Sequence, residues 1–521
     1  MLEKPLYYNF THNVMERWAA ERPDANALWW IDDTGQQEIK FTFRQITEEG
    51  LKAANFFEKC GIQRGDRVLL VLPRIPQWWI SMLGMIRMGA VPVPGTPLLT
   101  TRDLLYRIDT AKIDAVITNP EGAAKLDGFT GTRLIVDGER PGWTDFEAGV
   151  RAASPQCHAE PTRSDDPGLI YFTSATTGYP KMVLHTQASY GLAHRLTGEL
   201  WLDLKPEDVH WNISDVGWGK AAWSSFYAPW HMGACVFAMN TVGKFDPVHT
   251  LETLQNYPIT TWCAPPTALR LIISKDLSQY RFPHLRHVVT AGEPLNPEII
   301  SRWKSATGLT IHEAYGQTET IMTIGNFRCL GAPVRPGSMG KANPDFEMAV
   351  LDEHLNEVPA GHEGEIAVRV SPRRPVGLFH EYWQNPEATA AQFRGDWFLT
   401  GDRAIRDADG YFWFVGRKDD VIKSSGYRIG PFEVESALLE HKAVLEVAVV
   451  GKPDALRGQI VKAFVVLHKG WNQDDALKVE LQWHCKKSVA PYKYPREIEF
   501  VAILPKTASG KTRHFELRDR P

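Results

Sequence analysis

A run of hydroxyl-bearing residues, a glycine and a lysine follows a short apolar stretch in the first third of the chain. Residues 169–172 have the composition of a buried strand, and the chain then continues with Thr173, Ser174, Thr176, Thr177, Gly178 and Lys181. Hydroxyls and backbone N–H groups donate to phosphate oxygens, and lysine adds positive charge. The spacing is not that of a P-loop, GxxxxGK[ST]. The segment predicts a polyphosphate-binding loop, with a Ser/Thr-rich surface turn as the alternative.

Six further segments carry acidic, aromatic and basic side chains beside glycine or proline: residues 291–294, 315–319, 400–402, 416–420, 425–430 and 505–511. In order and spacing they resemble the adenylate-forming superfamily, which contains acyl-CoA synthetases, amino-acid adenylation domains and luciferases. The resemblance covers about residues 29–513, and residues 214–223 and 490–496 are most similar to medium-chain acyl-CoA synthetases. It implies ATP-dependent activation of a carboxylic acid through an acyl-adenylate, followed by transfer to coenzyme A.

The resemblance assigns the hydroxyl-rich loop to the β- and γ-phosphates of ATP. One position departs from the family pattern, because Ala175 stands where the family usually has glycine. If the loop needs a positive φ there, alanine costs about 1 kcal/mol. We therefore expect this position to affect ATP affinity rather than the fold.

The same resemblance implies adenine, ribose and metal contacts. Adenine would lie on a turn at Gly292, Glu293 and Pro294 and stack on Tyr315, with the rest of that loop beside it: Glu313, Ala314, Gly316 and Gln317. Asp402 and Arg417 would contact the ribose, and Thr318 the α-phosphate. Glu319 would bind Mg²⁺, since a hard cation on phosphates prefers one or two carboxylates.

Lys511 is the cation that the resemblance assigns to catalysis, together with Thr318 and Glu319. Negative charge builds at the α-phosphate as pyrophosphate leaves, and a fixed cation stabilises it. The family uses its small C-terminal domain in two orientations, and Asp419 matches the hinge between them. CoA would then meet a second set of residues: Ser425, Gly426, Tyr427, Arg457, Lys486 and Arg496. Ordinary exposed basic residues are the alternative for Lys486 and Arg496.

The acyl pocket is assigned by the same resemblance to Trp218, Gly219, Lys220, Cys263 and Arg428. Aromatic walls suit a flat ring or a short alkyl chain, so medium-chain fatty acids or small aromatic acids are the expected substrates. His231 follows an apolar run, and a pocket residue and a core histidine are both compatible with that position.

The elements that must position these residues alternate between strand-like and helix-like patterns. Residues 67–72, 114–118 and 133–137 are short apolar runs, and residues 78–88 have a helical composition. This alternation predicts an α/β fold with parallel strands in a large N-terminal domain, residues 1–417. Residues 418–521 have the β-α-β-β-α order of a small α+β domain, mobile by resemblance, with the boundary in the charged stretch 417–420.

Composition excludes some other classes of protein. The 521 residues are 43% hydrophobic and 23% charged, with a net charge of −4, which is not the basic balance of a nucleic-acid binder. The uncharged stretch 221–243 contains proline, glycine and polar residues, so we expect a buried strand-turn-helix segment rather than a membrane span. Residues 1–17 lack the pattern of a secretion signal. We expect a cytoplasmic enzyme, and by resemblance a homodimer.

Two alternative functions are compatible with these residues. An adenylating enzyme could load a carrier protein instead of CoA, although no carrier domain follows residue 511 in this sequence. A non-catalytic nucleotide sensor is favoured by Ala175 alone and opposed by Glu319, Asp402 and Lys511. A loader would use a phosphopantetheinylated carrier and not free CoA, whereas a sensor would release no pyrophosphate.

Overall fold

The structure is a computed structural model that describes residues 2–173, 180–241, 243–425, 427–454, 456–507, 511–518 and 520. Several predicted site residues lie outside the described residues: Ser174, Thr176, Thr177, Gly178 and Gly426, together with Ala175 and the side chain of Arg428.

A five-stranded parallel sheet forms near the start of the chain. Its strands, in spatial order, are Val91–Pro94, Arg67–Val71, Ala115–Thr118, Thr132–Ile135 and Thr144–Asp145. The central strands are apolar and buried on both faces, as a parallel sheet between helices requires. The helix Pro76–Met88 begins at a proline in its first turn and ends at Gly89, whose φ is 80°.

A nine-stranded sheet forms the second layer of the large domain. Its order is Lys341–Ala342, Met322–Gly325, Ile311–Gly316, His287–Ala291, Thr261–Cys263, Val209–Asn212, Cys235–Asn240, Asn26–Asp32 and Glu38–Thr42. The strands from Ile311–Gly316 to Asn26–Asp32 are parallel, and antiparallel strands close both edges. Loops after the parallel strands therefore emerge at one edge, where open α/β sheets bind ligands.

Two antiparallel sheets complete the large domain. One contains Glu381–Tyr382, Met182–Thr186 and Pro167–Phe172. The other contains Met348–Leu351, Glu363–Arg369, Trp397–Arg406 and Phe393–Arg394, with Phe412–Arg417 also paired to Trp397–Arg406.

The C-terminal region forms a sheet of its own around a separate apolar core. Its strands are Tyr427–Ile429, Ile422–Ser424, Gly458–Leu467 and Val444–Asp454, and Glu497–Phe500 joins Gly458–Leu467 in parallel. Helices Pro431–Leu439 and Asp475–Ser488 contribute Val434, Leu438 and Leu481 to that core. This order of elements is the α+β arrangement expected from the sequence.

Most of the helices lie between strands and cover the sheets. The α-helices are Arg17–Glu21, Phe43–Lys59, Pro76–Met88, Thr101–Ala111, Pro120–Ala124, Phe146–Ala152, His194–Leu196, Gly219–Ala221, Ala228–His231, Pro247–Asn256, Pro266–Ile273, Pro297–Thr307, Pro386–Gln392, Pro431–Leu439, Asp475–Ser488 and His514–Arg518. Wider π-type turns occupy Thr11–Glu16, Gln187–Leu192, Thr197–Trp201 and Ala222–Tyr227. Single 3₁₀ turns lie at Leu277–Gln279, Arg328–Leu330 and Pro491–Lys493. Among the described residues, no helix is both long and apolar enough to cross a membrane.

The fold class is confirmed: a large α/β unit with several sheets precedes a smaller α+β unit. The order expected within the uncharged stretch 221–243 was wrong. Helical turns come first, ending with Ala228–His231, and the strand Cys235–Asn240 follows them. Apolar composition predicts burial but does not distinguish a buried helix from a buried strand.

Candidate active site

A cavity of about 660 Å³ lies where the large unit meets the C-terminal unit. Sixteen of the predicted residues border it: Thr173, Lys181, Gly292, Glu293, Pro294, Glu313, Ala314, Tyr315, Gly316, Gln317, Thr318, Glu319, Asp402, Arg417, Asp419 and Lys511. We call this cavity the nucleotide cleft. Segments separated by more than 300 residues in sequence meet there.

Parallel pairing explains why two of the segments meet. His287–Ala291 and Ile311–Gly316 run in register, with Ala291 opposite Ala314, so residues 292–294 and 317–319 leave the sheet side by side. The expectation that Glu313–Gly316 form a loop was wrong, because they lie in the strand. Only residues 317–319 continue beyond it. A short stretch of mixed polar and apolar residues does not reveal where a strand ends.

Asp402 is the centre of a hydrogen-bonded group in the cleft. The Tyr315 hydroxyl and the Gln317 Nε2 each donate to its Oδ2, both at 2.7 Å. Arg417 Nε lies 3.9 Å from the Asp402 Oδ1. Burial raises the pKa of Asp402, and the Arg417 charge opposes that rise. The group holds a buried carboxylate whose Oδ1 is available for polar ligand groups.

Glu313 is a buried carboxyl group at the back of the cleft. Its side chain is only 4% exposed, and the Leu295 N–H donates to its Oε1 at 3.2 Å. Burial raises the pKa of Glu313 to about 8, and that one backbone bond only partly opposes the rise. Near neutral pH this group carries a proton more often than an exposed glutamate does.

Glu319 lies beside Tyr382, a residue that the sequence analysis missed. The Tyr382 hydroxyl donates to Glu319 Oε1 at 2.7 Å, and burial raises the pKa of Glu319. Within the described part of the chain, Glu319 forms no ion pair. Glu319 is half-buried, and the charges of Lys181 and Arg417 only partly oppose the rise in its pKa. A carboxylate that is partly desolvated and has no direct ion pair fits a hard cation.

The Thr318 backbone is fixed by a buried polar cluster that the sequence did not indicate. His185 Nε2 donates to the Thr318 carbonyl at 2.7 Å, and the Tyr190 hydroxyl donates to the same oxygen at 3.3 Å. Burial lowers the pKa of His185 to about 3, so the ring is neutral and its Nε2 carries the proton. Trp223 Nε1 in turn donates to the Tyr190 hydroxyl at 2.9 Å.

Lys511 enters the cleft from the C-terminal unit and is exposed. Its backbone N–H donates to Thr507 Oγ1 at 3.1 Å. Burial raises the pKa of Asp402, and the Lys511 charge is among those that oppose the rise. Burial lowers the pKa of Lys220, and the Lys511 charge adds to that shift. The cation predicted for catalysis thus lies close to the carboxylate predicted for ribose.

The predicted hinge lies in a tight turn between two anchored neighbours. Lys418 Nζ donates to Glu365 Oε2 of the large unit at 3.2 Å. Asp420 forms an ion pair with Arg518 of the last helix. Asp419 stands between these two contacts and borders the cleft. A change in backbone angles there would separate two clamped segments.

The described residues predicted for CoA lie elsewhere, on what we call the outer face: Ser425, Tyr427, Arg457, Lys486 and Arg496. None of these five borders the nucleotide cleft or the second cavity described below. Arg457 Nη1 donates to Ser425 Oγ at 3.1 Å. Lys486 and Arg496 both lie over the Tyr494 ring, at 4.1 and 4.9 Å from its centroid. The outer face combines cations and aromatic rings on the surface of the C-terminal unit.

Trp218, Gly219 and Lys220 border a second cavity of about 1210 Å³, which Thr318 and Lys511 also border. Lys220 Nζ donates to the Ala291 carbonyl at 3.1 Å, and burial lowers its pKa. Cys263 is fully buried behind this wall, beside Ser224, and borders neither cavity. His231 packs against Phe10 and bonds the Gly191 carbonyl, which makes it a core histidine.

Comparison with known proteins identifies the family of this chain. The chain belongs to the family of AMP-binding enzymes, because that family's model matches residues 15–383 and its C-terminal domain model matches residues 433–511. The predicted resemblance to the adenylate-forming superfamily is therefore confirmed.

The individual relatives are enzymes of acyl-CoA formation. Mouse (Mus musculus) mitochondrial acyl-coenzyme A synthetase ACSM3 is 46% identical over all of this chain and 91% of its own. Human (Homo sapiens) mitochondrial ACSM4 is 48% identical over 99% of this chain and 91% of its own. Among solved structures, an anthranilate CoA ligase bound to anthranoyl-AMP is 31% identical, with a TM-score of 0.89 over 99% of this chain and 97% of its own.

Proposed function

We propose that this protein is an AMP-forming carboxylic acid:CoA ligase that works through an acyl-adenylate. The observation that carries the proposal is the meeting of Glu319, Asp402 and Lys511 in one cleft that opens beside a second, larger cavity. The relatives support CoA as the acceptor, and they do not support the carrier-protein alternative.

In the first step the carboxylate of the acid attacks the α-phosphorus of ATP, and pyrophosphate leaves. Asp402, held by Tyr315 and Gln317, accepts the ribose hydroxyls. Thr318, whose backbone is fixed by His185 and Tyr190, contacts the α-phosphate. Lys511 stabilises the negative charge that builds in the transition state.

Glu319 is the residue that would hold Mg²⁺, because it is a half-buried carboxylate that lacks an ion pair among the described residues. When bound, Mg²⁺ would neutralise phosphate charge. Thr173 and Lys181 border the same cleft and would hold the terminal phosphates. The sequence predicts that the hydroxyls of the intervening loop also hold the terminal phosphates.

In the second step the CoA thiol attacks the acyl-adenylate and AMP leaves. We assign this step to the outer face, delivered by rotation about Asp419 of a domain comprising residues 418–521. The clamps at Lys418 and Asp420 support this position for the hinge. Large rotations concentrated in a few residues are a common form of domain movement.

The substrate class we propose is medium-chain fatty acids or small aromatic acids. Trp218 and Trp223 give the second cavity two aromatic walls, which favour flat or short apolar groups. A benzoate CoA ligase from Burkholderia xenovorans also matches, with 28% identity and a TM-score of 0.86 over 98% of this chain and the whole of its own. The anthranilate ligase extends the aromatic comparison.

The test is pyrophosphate release with Mg-ATP across straight-chain acids and benzoates, with and without CoA. Turnover that requires CoA and gives an acyl-CoA product supports the ligase and ranks its substrates. Accumulated acyl-AMP with no effect of CoA would favour the carrier-protein loader, and no pyrophosphate at all would favour a sensor.

Three further properties remain predictions from the sequence: a cytoplasmic location, a homodimer and no binding of nucleic acid. The relatives carry the word mitochondrial in their names, which makes the compartment the first of these to test. Cell fractionation separates the two compartments, and analytical ultracentrifugation measures the oligomeric state.

A further inference from the structure

A short segment, residues 377–383, joins two parts of the nucleotide cleft that are far apart in sequence. On one side, Glu381 and Tyr382 pair with Leu184 and Val183, in the strand that follows Lys181. On the other side, the Phe379 N–H donates to the Glu319 carbonyl at 2.7 Å. The segment therefore fixes the position of the turn at Glu319 relative to the start of the strand Met182–Thr186.

The side chain of Tyr382 makes the same connection. Its hydroxyl donates to Glu319 Oε1 at 2.7 Å, and the Lys181 ammonium lies 4.6 Å from the centre of its ring. Tyr382 is only 4% exposed, packs against Phe379 and borders the cleft. One side chain therefore contacts both a carboxylate and a cation of the site.

We propose that Tyr382 is a positioning residue that keeps Lys181 and Glu319 apart and directs both toward the nucleotide. The inference rests on the proposed function, in which Lys181 contacts the terminal phosphates and Glu319 binds Mg²⁺. Among the described residues, Lys181 and Glu319 form no direct ion pair with each other.

The physical reason is competition between partners. A lysine and a carboxylate in one cavity attract each other, and a direct pair would occupy the groups that a nucleotide and its cation need. The electron-rich face of the Tyr382 ring attracts the ammonium, while the hydroxyl bonds one carboxylate oxygen. Partners of this kind orient a metal-binding carboxylate and commonly change metal affinity about 10- to 100-fold.

Two substitutions separate the two contacts. Tyr382→Phe keeps the ring under Lys181 and removes the bond to Glu319, whereas Tyr382→Leu removes both. Tyr411→Phe is the matched control, because the Tyr411 hydroxyl also donates one 2.7 Å bond, to the Pro333 carbonyl, and its ring also carries a cation, Arg335. Tyr411 does not border the nucleotide cleft.

The measurement is calorimetric binding of the α,β-methylene analogue of ATP to the full chain, with and without Mg²⁺. The gain in affinity that Mg²⁺ produces should fall about tenfold in Tyr382→Phe, while the metal-free affinity stays unchanged. Tyr382→Leu should weaken both. Thioester formation from supplied acyl-adenylate should be unchanged in Tyr382→Phe, since that step uses neither terminal phosphate.

The proposal would be overturned if Mg²⁺ raised the analogue affinity of Tyr382→Phe as much as it does in the wild type. It would also be overturned if Tyr411→Phe lost as much of that affinity gain as Tyr382→Phe, or if Tyr382→Phe slowed adenylation and thioester formation equally. The proposed function is judged separately. If the wild-type protein binds the analogue but releases no pyrophosphate with any acid, the ligase function fails while the Tyr382 result can still be interpreted.

Discussion

The nucleotide cleft and the outer face place their predicted residues in different surroundings. In the cleft, Tyr315 and Gln317 both donate hydrogen bonds to Asp402, which lies more than 80 residues from either of them in sequence. On the outer face, Arg457 bonds Ser425 and Lys486 lies over Tyr494, and neither basic residue borders either of the two cavities described above. The orientation described therefore brings together the groups that we propose for adenylation. In the proposed mechanism, the groups that we assign to CoA would have to move before they could act.

The largest effect is expected from removing the cation that the C-terminal unit contributes to the cleft. Lys511→Ala should lower the rate of adenylate formation about 100- to 1,000-fold, because transition-state charge loses a fixed partner. Thioester formation from supplied acyl-adenylate should be unchanged. Pyrophosphate release and acyl-CoA formation measure the two steps, with Lys469→Ala, an exposed lysine elsewhere on the same unit, as control. An equal loss in both steps would contradict the two-orientation mechanism.

The second prediction links the buried cleft to folding stability. The pKa of Glu313 is about 8 in the folded protein, above its usual value, so between about pH 4.5 and pH 8 the folded protein holds a proton that the unfolded chain has lost. Stability from this group is therefore complete below pH 4.5 and decreases as the pH rises toward 8. The slope is about 1.4 kcal/mol per pH unit where the two states differ by one proton.

Glu313→Gln should remove that part of the pH dependence, because the amide keeps an acceptor for the Leu295 N–H and does not titrate. Urea unfolding of both proteins at pH 5, 6, 7 and 8 measures it. Parallel stability curves for the two proteins would show that Glu313 does not titrate as described.

The third prediction concerns the outer face alone. Replacing Arg457 and Lys486 together by alanine should raise the KM for CoA about tenfold, since hydrogen bonds to charged groups contribute about 1.5 kcal/mol or more. Adenylation should not change, because neither residue borders the nucleotide cleft. Lys469→Ala again serves as control. A loss confined to adenylation would show that the outer face does not bind CoA.

The smallest expected effect is in the phosphate loop. Ala175→Gly should change the apparent KM for ATP by up to about fivefold, toward tighter binding, if the loop needs a positive φ or close approach of its backbone. The KM for the acid should stay the same. An unchanged KM for ATP would show that alanine is neutral at this position.

The sequence predicted the fold class and the members of the cleft more accurately than the contacts between them. The strand Arg67–Val71 and the helix Pro76–Met88 lie within a few residues of their predicted bounds, since each has a strong apolar pattern. The sequence analysis predicted no element for the segment 377–383, and Tyr382 was missed. Its importance depends on pairing with residues almost 200 positions earlier in the chain.

By itself, the sequence determined which chemical groups this protein has and in what order, because the glycine-containing segments are local and their residue types are visible directly. Tertiary structure decided which of them meet. It brought Lys511 to Asp402, interposed Tyr382 between Lys181 and Glu319, and left Arg457 outside the cleft. The reason is physical: contact, burial and pKa depend on distances between segments that packing of several sheets sets, and no local pattern encodes those distances.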